Sequence, residues 1–184
     1  MKTIRLTALF LALVLLLCSC GEKPYAPAGT KTGNEKLDTA VLEVIENNCQ
    51  RNALTGDNLL ALYTWVSDEI EYQAAGGAGV TIFNDQIITD LAAEVMADRT
   101  GDCDEIAALL AVFLRRMGCK ADVVKGKFRG DDDLEWVDHA WVVAIVEGGE
   151  YHFDPVYDRY FAETGTRSCF MANREHMQQT HIWQ

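Results

Sequence analysis

The chain has 184 residues, 49% of them hydrophobic, which suits one domain with a real core. Acidic residues outnumber basic ones 28 to 16, a net charge of −12, and such a surface disfavours nucleic acid and anionic lipid. Six cysteines are irregularly spaced with no CxxC pair, which argues against a zinc site.

The first residues carry an address. Lys2 and Arg5 precede an apolar run from Leu6 to Leu17, the layout of a signal peptide. The run is short for a spanning helix, which needs about 20 apolar residues. Leu17-Cys18-Ser19-Cys20 resembles a bacterial lipobox. That resemblance implies cleavage before Cys20, a lipid on its sulfur, and a place in the bacterial cell envelope on the extracytoplasmic side. A plain secretory signal and a short membrane anchor are the alternatives. Residues 1–19 are thus expected as the signal and 20–36, rich in Gly, Pro and Thr, as a flexible tether. Residues 37–184 form the domain. Cleavage removes Lys2 and Arg5 and takes the net charge from −12 to −14. Cys49, Cys103, Cys119 and Cys169 then face an oxidising compartment. If Cys103 stays a thiol, the other three allow one disulfide and one spare.

Apolar spacing predicts an amphipathic helix over Leu37 to Cys49 and, after a turn at Thr55-Gly56-Asp57, a second over Asn58 to Tyr72. The small-residue loop Ala74 to Gly79 is no phosphate cradle, since no Lys-Ser or Lys-Thr follows it. A third helix is predicted over Asp85 to Asp98. The fourth starts after Thr100-Gly101-Asp102 and ends at Gly118, with Ile106, Leu109, Leu110, Phe113, Leu114 and Met117 at helical spacing. Asp102 and Glu105 form a capping-box pattern, placing Cys103 in the first turn. Helix N-termini favour thiolates and offer N–H groups to an oxyanion. The carboxylates of Asp102, Asp104 and Glu105 work against the thiolate. Cys103 read without partners is equally a small core residue.

The pattern then changes period. Lys120 to Lys127 is β-rich, and Arg129 to Glu135 is a charged loop without the calcium-loop pattern. Trp136 to Val146 and Tyr151 to Asp154 are strands of a hairpin turning at Glu147 to Glu150, and the tail from Tyr157 is mixed. Helices first and antiparallel strands after give an α+β fold. A cysteine nucleophile needs a base, and the base an orienter. His139 and Asp154 fall on one face of the ribbon. A turn centred on Glu147-Gly148 sets Asp154 opposite Trp141 and diagonal to His139, within side-chain reach. A turn on Gly148-Gly149 separates them by one more step. His139, His152, His176 and His181 are the candidate bases. His152 shares the face of Asp154 and is a fair rival, Asp138 and Asp158 are rival orienters, and spacing does not choose among them. A metal pair of His176 and His181 has the wrong spacing for one helical face.

Four segments in order resemble the transglutaminase-like superfamily: Tyr63-Thr64-Trp65-Val66 through Tyr72, Arg99 through Ala107 around Cys103, Met117 through Gly126, and Asp138-His139-Ala140-Trp141 with Phe153-Asp154-Pro155. The resemblance implies a papain-like fold in which the nucleophile helix packs on an antiparallel sheet. It implies Cys103 as nucleophile, His139 as general base, Asp154 as its orienter, and Tyr72 at a position that in some members assists the oxyanion. It implies an enzyme acting on amide or peptide bonds of a peptide or protein through a thioester, by hydrolysis or acyl transfer, with no metal and no cofactor. The alternative is a non-catalytic envelope binding module that keeps the fold, with Cys103 locked in a disulfide.

Overall fold

The structure is a computed structural model that describes residues 27–74, 79–129, 135–161 and 167–183. The predicted signal, Cys20, and most of the charged loop after Arg129 lie outside the described residues. Among the described residues no helix is long and apolar enough to cross a membrane.

Helices α1 (Glu35–Asn48), α2 (Thr55–Glu69), α3 (Asp85–Asp98) and α4 (Cys103–Arg116) come first, followed by strands β3 (Lys120–Phe128), β4 (Val137–Val146) and β5 (Gly149–Phe153). Two short strands, β1 (Glu71–Tyr72) and β2 (Thr100–Gly101), interleave with the helices. The tail adds α5 (Pro155–Tyr160), α6 (Arg174–Met177) and β6 (His181–Ile182). The main sheet is antiparallel in the order β5-β4-β3-β6, so the predicted α+β fold is what forms.

Helix α4 is the centre of the fold. Its residues from Ile106 to Leu114 are all buried, so it is apolar around its whole circumference and must be covered on every side. Helices α2 and α3 pack on it from one side and β3 and β4 from the other. The main core lies between these layers, with Phe113, Leu109, Leu62, Ile88 and Val142 inside it. A second apolar cluster lies on the opposite side of the sheet, where the tail covers Trp141 and Phe128 with Tyr157, Cys169 and Met177. Gly126 lets Trp141 lie across β3. A Cβ there would stand 2.6 Å from the indole and 2.3 Å from the Ile182 carbonyl oxygen.

Three boundaries differ from expectation for identifiable reasons. Thr55-Gly56-Asp57 opens α2 and is not a separate turn, because turn residues and first-turn residues share one chemistry. Helix α2 stops at Glu69, since Glu71 and Tyr72 pair in parallel with Thr100 and Gly101, a partner that no local pattern reveals. The expected tether is also shorter. At the C-terminus of α4, the carbonyls of Arg115 and Arg116 accept from the Thr30 and Gly29 N–H groups at 3.1 and 3.0 Å. Arg116 in turn donates to the Pro27 and Gly29 carbonyls. A helix end needs such donors, and the Gly-Thr segment supplies them. Thr32 bonds Asp38 and Asn34 caps α1, so residues 27–34 belong to the domain.

Candidate active site

Cys103 is the first residue of α4 and is partly exposed. The capping box predicted around it is present. The Asp102 carboxylate accepts from the N–H groups of Asp104 and Glu105 at 2.9 and 3.1 Å, and Glu105 accepts from the Asp102 N–H at 2.8 Å. Such a cap contributes about 1 kcal/mol and fixes where the first turn points. The parallel pairing of β1 with β2 sets Tyr72 beside Gly101, two residues before the cysteine. Burial, then the charges of Cys103, Asp102 and Asp154, push the Tyr72 hydroxyl up, so it stays a protonated donor at neutral pH. Its ring lies 5.5 Å from that of Tyr160 and 6.1 Å from that of Phe161.

The three carboxylates around Cys103 are less hostile than the sequence suggests. Asp102 and Glu105 are spent on backbone N–H groups. Asp104 is buried, accepts from the Val80 N–H at 2.7 Å, and forms an ion pair with Lys125 of β3. The Lys125 ammonium offsets the one carboxylate of the three that would otherwise stand uncompensated in the protein interior.

The hairpin brings His139 and Asp154 together. Residues Glu147 and Gly148 both adopt positive φ, 51° and 88°, the geometry of a two-residue hairpin turn. Val146 then pairs with Gly149 and Val142 with Phe153, which sets Asp154 across from Trp141 and diagonal to His139. Their side chains meet: His139 Nε2 lies 2.6 Å from Asp154 Oδ2, and both residues are about 1% exposed. Burial lowers the proton affinity of His139, but the Asp154 charge and hydrogen bond, together with contact from Cys103, overcome it and raise the ring to about 10. Burial likewise works against the Asp154 carboxylate, yet His139 and a second imidazole, His181, hold it well below the usual carboxylate range. Nε2 is committed to Asp154, and Cys103 is close enough to act on the same ring.

The rivals are placed elsewhere. His152 accepts at Nδ1 from the Trp141 indole N–H at 3.0 Å, and burial lowers its proton affinity. Asp158 binds the Tyr63 hydroxyl at 2.5 Å and the Cys169 N–H at 3.0 Å. Asp138 is exposed and pairs with Lys127. In the sequence His181 is one of four candidate bases and half of a metal pair with His176. In the structure its Nε2 lies 3.0 Å from Asp154 Oδ2, while His176 sits exposed on α6. Cys49, Cys103, Cys119 and Cys169 are all free thiols, and the one disulfide that their number allows is not formed. A groove of about 490 Å³ at the β3–β6 edge is lined by Lys125, Gly126, Lys127, Asp138, Ile182 and Trp183.

A cysteine at the start of a buried helix, facing a histidine–aspartate pair on an antiparallel sheet, defines a thiol-enzyme type of domain. The profile of the transglutaminase-like superfamily matches residues 41–155, more than half of the chain, and the chain belongs to that superfamily. Its fold is similar to the crystal structure of a TGase, at 18% identity and a TM-score of 0.52, over 81% of this chain and 37% of that one. Weaker likenesses are to a candidate cysteine protease from Cytophaga hutchinsonii (18% identity, TM-score 0.48, 72% of this chain and 39% of that one) and to the periplasmic domain of TgpA from Pseudomonas aeruginosa (23%, 0.47, 68% and 43%). The chain spans less than half the length of each of these structures. No curated protein matches it.

Proposed function

We propose that the protein is a thiol enzyme that cleaves or transfers acyl groups at amide or peptide bonds, with Cys103, His139 and Asp154 as its triad. The observation that carries this reading is the buried 2.6 Å contact of His139 Nε2 with Asp154, which leaves Nδ1 for the thiol at the N-terminus of α4. His139 takes the Cys103 proton, and the sulfur attacks the substrate carbonyl. The tetrahedral oxyanion is met by N–H groups at the start of α4 and by the Tyr72 hydroxyl. The C–N bond breaks, His139 returns the proton to the departing amine, and a thioester remains on Cys103. Water or an amine then attacks the thioester and releases the acyl group. Hydrolysis is the default in an aqueous envelope.

The test uses the other thiols as internal controls. Burial pushes Cys49 up to about 11 and drives Cys119 and Cys169 upward as well. In the native chain at neutral pH, iodoacetamide is expected to modify Cys103 on the order of 10²-fold faster than these three, read by mass spectrometry of the tryptic peptides. Labelling of Cys103 no faster than free cysteine, or its recovery in a disulfide, rejects the enzyme in favour of a binding module.

The same proposal places the domain in the cell envelope, held by a lipid on Cys20. The lipobox pattern Leu17-Cys18-Ser19-Cys20 supports it. The N-terminal peptide of protein from the native host is expected to begin at Cys20 and to carry acyl mass. An unmodified peptide that includes residues before Cys20 removes the anchor from the proposal.

A further inference from the structure

We propose that His181 is a positioning residue of the triad: it fixes the Asp154 carboxylate in line with His139 and takes a share of its charge. The inference rests on the triad reading above. Asp154 Oδ2 receives two imidazoles, His139 at 2.6 Å and His181 at 3.0 Å, while Oδ1 accepts the Tyr157 N–H at 2.9 Å. Because the carboxylate is ionised, each Nε2 directed at it carries a hydrogen. Three ligand atoms lie within 4.8 Å of one another, a spacing that suits a metal ion. Here, however, the imidazole lone pairs that a metal needs are replaced by N–H bonds to one shared oxygen. The cluster is therefore a hydrogen-bond network.

The location of His181 needs this explanation. The ring is fully buried, with Trp141 and Tyr157 each 4.9 Å away centroid to centroid, a pocket in which an apolar side chain would pack as well. A buried imidazole costs free energy unless both nitrogens are bonded. His181 meets that condition through Asp154 at Nε2 and the Thr180 hydroxyl, 2.8 Å from Nδ1. Pairing of His181 with Phe128 fixes β6 against β3, so the tail reaches back to the site from the edge of the sheet. Without His181, Oδ2 is held by His139 alone. The carboxylate is then freer to turn about its bond to the α5 cap, and its full charge falls on one donor.

The experiment compares the full-length wild type with His181→Ala and with His181→Gln, whose side-chain N–H can occupy the place of Nε2. One readout is the low-field proton NMR resonance of the His139 Nε2–H at neutral pH, and the other is the rate of Cys103 alkylation by iodoacetamide. His181→Ala is expected to move the resonance further downfield, or to broaden it away, and to slow alkylation about tenfold. His181→Gln is expected to bring both back close to wild type. An unchanged resonance in His181→Ala, or equal effects of the two substitutions, overturns the proposal and leaves His181 a packing residue. Failure of the triad itself looks different: wild-type Cys103 then alkylates no faster than free cysteine, whatever the variants do.

Discussion

Replacing His139 with alanine is expected to slow alkylation of Cys103 at neutral pH on the order of 10²-fold. Asp154 and Cys103 raise the His139 ring from its ordinary 6.5 to about 10, against the opposing effect of burial. A group whose folded value lies that far above neutrality carries its proton at pH 7. In the proposed triad the ring is then an imidazolium beside the sulfur, and its charge favours the thiolate that iodoacetamide attacks. It also offsets Asp102 and Glu105, whose carboxylates lie within the same helical turn. Removing the ring removes that charge and leaves Asp154 Oδ2 with His181 alone. Loss of folding is separated from loss of chemistry by His139→Gln, which keeps an N–H toward Asp154 but puts no basic atom toward Cys103. It is expected to melt above His139→Ala, because Asp154 keeps a donor, and to alkylate as slowly as His139→Ala. Alkylation within about twofold of wild type in both variants rejects His139 as the partner of the thiol.

What the sequence revealed about this site depended on whether the determining contact is local. The capping box is local: Asp102 and Glu105 sit three residues apart, and both bonds form as the pattern predicts. The hairpin is nearly local, because a two-residue turn fixes every pair across it. Parity placed His139 and Asp154 on one face but left the turn and the rivals His152, Asp138 and Asp158 open; the positive φ values at Glu147 and Gly148 select the turn that brings His139 and Asp154 together. The rest depends on contacts between distant residues. Lys125 neutralises Asp104 from 21 positions away, so composition around Cys103 overstated the negative charge there. The pairing of Tyr72 with Gly101 joins two strands of two residues each, too short to leave a periodic signal. The Gly-Pro-Thr composition before α1 reads as a tether, yet the need of α4 for donors at its C-terminus recruits it. His181 is the extreme case. Its place on Asp154 follows from a two-residue strand at the sheet edge, 27 positions beyond the aspartate.

Substituting Asp154 is expected to cause the largest loss of stability at the site, with a pH dependence that identifies the cause. Asp154→Ala removes the acceptor for His139, His181 and the Tyr157 N–H at once, and strands a buried imidazolium. Breaking a buried pair in this way costs about 3–5 kcal/mol. The aspartate has a depressed folded value, so its contribution is present above its ordinary value near 3.8 and is lost as the pH falls below it. The histidine has a raised folded value. Its contribution is whole below 6.5 and is lost as the pH climbs from there to about 10. The gap between wild type and Asp154→Ala in urea unfolding should therefore be widest between about pH 4 and pH 6.5 and should narrow on both sides. Asp154→Asn separates charge from capping. Its side-chain oxygen still accepts the Tyr157 N–H at the start of α5, so it should retain part of the stability while losing most of the pH dependence. A gap that stays constant across this range would mean that His139 and Asp154 are held together as neutral hydrogen-bonding groups. The imidazolium, and with it the thiolate it is proposed to support, would then be absent from the resting site.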